Sequence, residues 1–67
     1  MSVYKVIELI GTSEESWEDA AKQAIDIANK SLRDLRIAEV SKFDVRLFEG
    51  EIVEYRARVN VSFKYED

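Results

Sequence analysis

Three features of this sequence predict an α+β fold of order βαββ, in which a three-stranded antiparallel or mixed sheet wraps around one helix. A β-branched run near the amino terminus ends at Gly11, a long amphipathic stretch follows, and two long alternating segments then meet at Gly50. The 67 residues make a single domain, 1–67, because autonomous domains start at about 50 residues.

Val3 to Ile10, VYKVIELI, is interrupted only by Lys5 and Glu8 and reads as a strand. Its nearly unbroken apolarity predicts cover on both faces. At Gly11-Thr12-Ser13-Glu14-Glu15 the hydroxyl of Thr12 or Ser13 is placed to accept from free amides of a first helical turn, with Glu15 completing a capping box from Thr12. The acids Glu14, Glu15, Glu18 and Asp19 oppose the positive end of the helix dipole.

From Ser13 to about Leu35, Trp17, Ala21, Ala24, Ile25, Ala28, Leu32 and Leu35 recur every three or four residues and trace one apolar stripe. The opposite face carries Glu15, Glu18, Lys22, Asp26, Asn29 and Arg33, with Glu18 to Lys22 and Asp26 to Lys30 as favourably oriented pairs. Trp17 heads the stripe, so its predicted role is packing rather than stacking on a ligand.

Ile37 to Phe48 and Ile52 to Tyr65 read as strands joined by the tip Glu49-Gly50-Glu51. In the second of them Val53, Tyr55, Ala57, Val59, Val61, Phe63 and Tyr65 alternate with Glu54, Arg56, Arg58, Asn60, Ser62 and Lys64, which puts one face on the helix and one in a polar setting. The first alternates less cleanly and leaves apolar groups on both faces. A right-handed crossover sets the first two strands parallel with a gap that the returning hairpin strand fills.

Composition excludes most enzyme chemistry. Without Cys or His there is neither thiolate nor imidazole to act as nucleophile, base or ligand. The prediction is a protein that is not an enzyme. A net charge of −4 argues against nucleic-acid partners. No stretch reaches the roughly 20 apolar residues of a membrane span, and MSVYKVIELI lacks the regions of a secretory signal, so the expected location is cytoplasmic and free of membrane. The basic positions Lys42, Arg46, Arg56, Arg58 and Lys64 leave two readings open, an anion site or ion pairs between subunits with Glu39, Asp44 and Glu54. A chain this short buries only about 60% of its unfolded surface. With disulfides excluded, burial between identical copies is the expected supplement.

The run V-Y-K-V-I-E-L-I-G-T-S from Val3 to Ser13, the Ala-rich helix, Ile37-Ala38-Glu39-Val40 and the closing Tyr55-Arg56-Ala57-Arg58-Val59-Asn60-Val61-Ser62-Phe63 together resemble the dodecins from end to end. The resemblance implies a hollow homododecamer that binds and stores flavin, as riboflavin or flavin mononucleotide (FMN), with Ile37, Glu39 and Arg56 at the positions of the family pocket. Where flavin-binding members carry a stacking Trp this chain has Ile37, and where they carry a flavin-bonding Gln it has Arg56. Ile offers no π face and Arg accepts no hydrogen bond. The S-V-Y-K-V-I start, S-W-E in the helix and the branched residue at the Trp position are similar to a divergent, calcium-associated branch. That likeness implies a flavin-independent structural or calcium-binding shell as the alternative. The candidate cation cluster is Glu14, Glu15, Glu18 and Asp19; no EF-hand loop is present.

Overall fold

The computed structural model describes residues 1–66. Its elements are β1 (Val3–Ser13), α1 (Trp17–Ser31), β2 (Leu35–Phe48) and β3 (Glu51–Glu66). They form one sheet of order β1-β3-β2, in which β3 runs antiparallel to both neighbours. The predicted βαββ order and strand arrangement are therefore those of the molecule. No helix among the described residues is long and apolar enough to cross a membrane.

The helix is shorter than its periodicity implied. It starts four residues late because the cap is Ser16, whose Oγ accepts from the Asp19 amide at 3.0 Å. Thr12 and Ser13 end β1 instead, opposite Arg56 and Tyr55. Ser13 Oγ stitches the β1–α1 turn by accepting from the Glu15 and Ser16 amides and donating to Asp19 Oδ2 at 2.7 Å. The helix stops at Ser31, where Leu32 turns extended and donates its N–H to the Ala28 carbonyl at 2.9 Å. Asp34 then takes a left-handed conformation, φ 57°, which Asp tolerates better than most residues. Leu35, expected on the helix, opens β2. On the helix surface Lys22 pairs with Asp26 at 3.4 Å, in place of the two pairs expected from spacing.

The core is built from small side chains. Ala20, Ala21, Ala24 and Ala28 of α1 lie on Ala57, Val59 and Val61 of β3, with Ile7, Leu9, Ile25, Leu32 and Leu35 packed around them. Val59 and Val61 are the largest side chains that are fully buried. Close approach depends on Gly11. A Cβ there would run into the Ala20 carbonyl and come 3.1 Å from Ala24 Cβ.

Bulges in β2 explain its broken alternation. Pairing slips between Val40 and Lys42, leaving Ser41 as the extra residue. Ahead of the bulge Ala38 and Val40 sit opposite Val61 and Val59; beyond it Phe43 and Val45 sit opposite Ala57 and Tyr55. Both sets share the helix side, although their numbers differ in parity. The β2–β3 tip is a two-residue turn, with Glu49 at φ 51° and Gly50 at φ 81°, a type I′ geometry suited to strand twist.

The outline is long rather than compact. A helix of 15 residues spans roughly 22 Å at 1.5 Å per residue, whereas the chain extends 50 Å. The radius of gyration is 13.7 Å, against about 11 Å for a compact chain of this length. Val3, Tyr4, Val6, Ile10, Ile37, Phe43, Leu47, Phe48 and Ile52 all stay exposed in the single subunit. The cover predicted for both faces of β1 is thus absent from one copy.

Two glycine variants separate steric need from backbone need. Gly11→Ala is expected to cost at least about 1–3 kcal/mol as an overpacked contact. Gly50→Ala, with nothing within 4 Å of the added carbon but φ at +81°, is expected to cost only about 1–2 kcal/mol. Denaturant midpoints of both variants check the order; a midpoint unchanged in Gly11→Ala would contradict the close helix–strand contact.

Candidate ligand-binding face

The side of the sheet turned away from α1 carries the sequence-predicted pocket residues, and its composition follows from the register. Reading across β1, β3 and β2, Val6, Ser62 and Ile37 form one row, and Glu8, Asn60 and Glu39 form the next. Ile10, Arg58 and Lys42 follow, then Thr12, Arg56 and Asp44. The face therefore grades from an apolar row, through an acidic row, to a basic one.

Ile37 and Glu39 meet in one shallow hollow lined also by Val6, Asn60 and Ser62. Ile37 is 68% exposed there. Ser62 Oγ donates to the Ile37 carbonyl at 3.4 Å, which ties the hollow's floor to β2. No aromatic ring lines it, and Glu39 has no ion pair among the described residues. Its polar groups are a carboxylate, an amide and a hydroxyl, all with hard oxygen donors.

Arg56 stands apart. It lies on the same face, but Ser62, opposite Ile37, is six residues farther along β3, roughly 20 Å at 3.3 Å per residue. Its guanidinium grips Asp44 in a bidentate pair, Nε to Oδ1 at 2.7 Å and Nη2 to Oδ2 at 2.9 Å. Hydrogen bonding from Arg56 holds the Asp44 carboxyl below its ordinary value, and the same contact raises the Arg56 guanidinium. Arg46 pairs likewise with Glu54 at 2.9 Å, and Arg58 approaches Glu8 at 4.0 Å. Of the two readings of the basic positions, ion pairing is the one realised for Arg46 and Arg56, within a subunit rather than between subunits.

Beyond the ion pairs, on the helix side, Trp17 sits edge-on to Tyr55 at 5.1 Å and tilted to Phe43 at 5.9 Å. Its indole N–H donates to the Asp44 carbonyl at 3.0 Å. Trp17 thus packs, as its place in the stripe predicts, and closes the end of the helix onto the hairpin.

The acids at the helix start do not gather into a ligand set within one subunit. Asp19 is engaged by Ser13, while Glu14, Glu15 and Glu18 are exposed. Among the described residues no group of three or more acids is placed to hold a metal ion. Glu8, Asn60 and Ser62 were not singled out from sequence as site residues. Counting back from the three-residue tip expected from sequence would have set Phe63 opposite Ile37; the two-residue turn and the bulges beyond it set Ser62 opposite Ile37 and Asn60 opposite Glu39 instead.

Fold and face together are those of a small ligand-binding protein of the dodecin family, to which this chain belongs: the dodecin family model matches residues 3–66. The chain is 47% identical over 64 residues to the calcium dodecin of Mycobacterium tuberculosis, covering 96% of this chain and 90% of that one. It is 40% identical over 65 residues to the dodecin of Thermus thermophilus, covering 97% and 94%. A crystal structure of a T. thermophilus dodecin variant superposes with a TM-score of 0.90 at 39% identity over the whole of both chains. The crystal structure of the M. tuberculosis calcium dodecin, a calcium-chelating antigen with a novel calcium-binding site, superposes at 0.87 with 45% identity, covering 97% and 93%.

The Asp44–Arg56 pair fixes a pH dependence. A carboxyl lowered in the folded state contributes stability that is fully present above the ordinary aspartate range, about pH 4, and is lost as pH falls through the lowered value. Carboxyl NMR titration is expected to find Asp44 below ordinary aspartates and to return it to their range in Arg56→Gln. An unshifted Asp44 in the parent protein would contradict the pair.

Proposed function

We propose that this dodecin is the subunit of a hollow cytoplasmic homododecamer that binds and buffers a small ligand without transforming it, and that the ligand is calcium rather than flavin. The observation that carries the choice is the make-up of the Ile37–Glu39 hollow: oxygen donors without a ring to stack on. A flavin site needs a π surface, worth about 0.5–1.5 kcal/mol beyond area burial for an aromatic pair. Here Ile37 stands in that position and Arg56 is already committed to Asp44. The 47% identity to a calcium dodecin supports the same choice.

Calcium takes six to eight oxygens at about 2.3–2.6 Å. In one subunit Glu8 and Glu39 flank Asn60 across three strands, so their backbones are about 10 Å apart. The residues fit one arm of such a site, and a neighbouring copy supplies the rest. Glu14, Glu15 and Glu18 form the other acidic surface for which a neighbour would have to complete the ligand set. The absence of His and Cys from the chain supports the non-catalytic part of the reading.

One observation favours a planar organic ligand instead: exposed Ile37 and Val6 lie beside the Asn60 amide, which both donates and accepts. Two titrations decide. Metal-free protein titrated with calcium is expected to give saturable heat and a raised melting temperature, equivalent to about 2.7 kcal/mol at 100 times Kd. Glu39→Gln should weaken binding at least about tenfold, the loss of about 1.4 kcal/mol, while Glu14→Gln, Glu15→Gln and Glu18→Gln leave it unchanged. No heat and no change in melting would remove calcium. Quenching of FMN fluorescence at tens of micromolar protein would restore the flavin store in its place.

A further inference from the structure

The end of the hairpin is the least explained part of the subunit. Between the Asp44–Arg56 row and the turn at Glu49-Gly50, β2 runs on for four residues and β3 for five, about 13–16 Å. Trp17 begins the helix at that row, through its bond to the Asp44 carbonyl, so no helix lies over the tip. Leu47, Phe48 and Ile52 are 58%, 62% and 52% exposed there. Such a group of large apolar side chains on a protruding finger is an interaction surface.

The same chain holds a complementary depression on the opposite flank. Leu9, Ile10 and Gly11 of β1 and Ala24 and Ile27 of α1 line an open cleft of about 270 Å³. It exists because Gly11 and Ala24 let the backbones approach without filling the space beside them. Ile27, on the rim, is 57% exposed. Charges match as well: Glu49 and Glu51 flank the apolar tip, and Lys30 stands one residue short of a helical turn beyond Ile27, all three exposed and without ion pairs among the described residues.

We propose that the β2–β3 tip of one copy seats in the β1–α1 cleft of a second copy of this chain, with Phe48 against Ile27 and the tip acids beside Lys30. Tip and cleft are different surfaces of one molecule, so the contact is head-to-tail. Contacts of that kind generate closed rings or open fibres rather than isolated pairs, and a closed shell is built from rings. The inference deepens the shell reading above and depends on it.

Sedimentation velocity of the full chain tests it through Phe48→Asp and Ile27→Asp. The parent is expected to run as one large particle, and each variant as smaller species with unchanged far-ultraviolet circular dichroism. A second route does not depend on disruption. The chain has no Cys, so a chain carrying both Phe48→Cys and Ile27→Cys, oxidised under dilute conditions, is expected to give a ladder of covalently linked copies that neither single variant gives. Both aspartate variants at full particle mass together with no ladder would overturn this contact while leaving the shell intact. A parent that sediments as a folded monomer would instead overturn the shell, and this contact with it.

Discussion

The close seating of one helix on one strand governs this molecule. Gly11 lets the Ala20 carbonyl come down onto β1, and Ala24 and Ala28 keep the helix low against Val59 and Val61. A helix held that close leaves no depth for large side chains beneath it. Among the described residues nothing bulkier than valine is fully buried, and the bulky apolar groups are displaced to the rim, the outer face and the tip. Each would contribute about 1.5–3 kcal/mol on full burial, a sum that a single subunit forgoes.

That division also sorts the two sides of the sheet. The helix side of β3 is apolar throughout its middle, and the outer side is charged: Glu54 pairs with Arg46 and Arg56 with Asp44 across to β2, while Arg58 reaches diagonally toward Glu8 of β1 at 4.0 Å. Exposed cross-strand pairs of this kind add little stability, because water screens them and ordering two long side chains offsets the attraction. Their effect is on orientation. Arg56 and Arg46 hold β2 to β3 through the stretch that has no helix above it, and the Trp17 indole ties the helix start to that stretch. The twisted hairpin therefore keeps a defined direction as it projects.

Much of this was legible in the residues. The strict alternation of β3 gave both faces correctly, and the crossover rule gave the strand order, because period two and right-handedness leave few alternatives. The helix start was missed by one turn, since Thr12/Glu15 and Ser16/Asp19 satisfy the same capping pattern and only tertiary pairing of Thr12 with Arg56 decides between them. Its end was missed because neither Gly nor Pro marks it; Asp34 supplies the left-handed turn. In β2 the bulge at Ser41 swaps the parity of inward residues, which no local pattern announces. Of the predicted pocket residues, Ile37 and Glu39 adjoin because they are two apart on one strand. Arg56 does not join them within a subunit, and its likeness to a family pocket position contains no distance.

The edges of the sheet point to how copies meet. Both β1 and β2 are edge strands, and long bare edges invite indefinite strand addition. Here β2 is bulged at Arg36 and Ser41 and carries Arg36, Glu39, Lys42, Asp44 and Arg46 along its length, while β1 slips register between Val3 and Tyr4 and carries Lys5 and Glu8. Bulges and charges of this kind discourage open-ended pairing. A chain that discourages growth through its edges yet leaves Ile37, Phe43, Phe48 and Ile27 exposed has apolar faces and a tip left to associate through. Whether association through such surfaces ends in a closed particle or runs on as a fibre is set by the rotation each contact imposes, since only a rotation that closes on itself terminates growth.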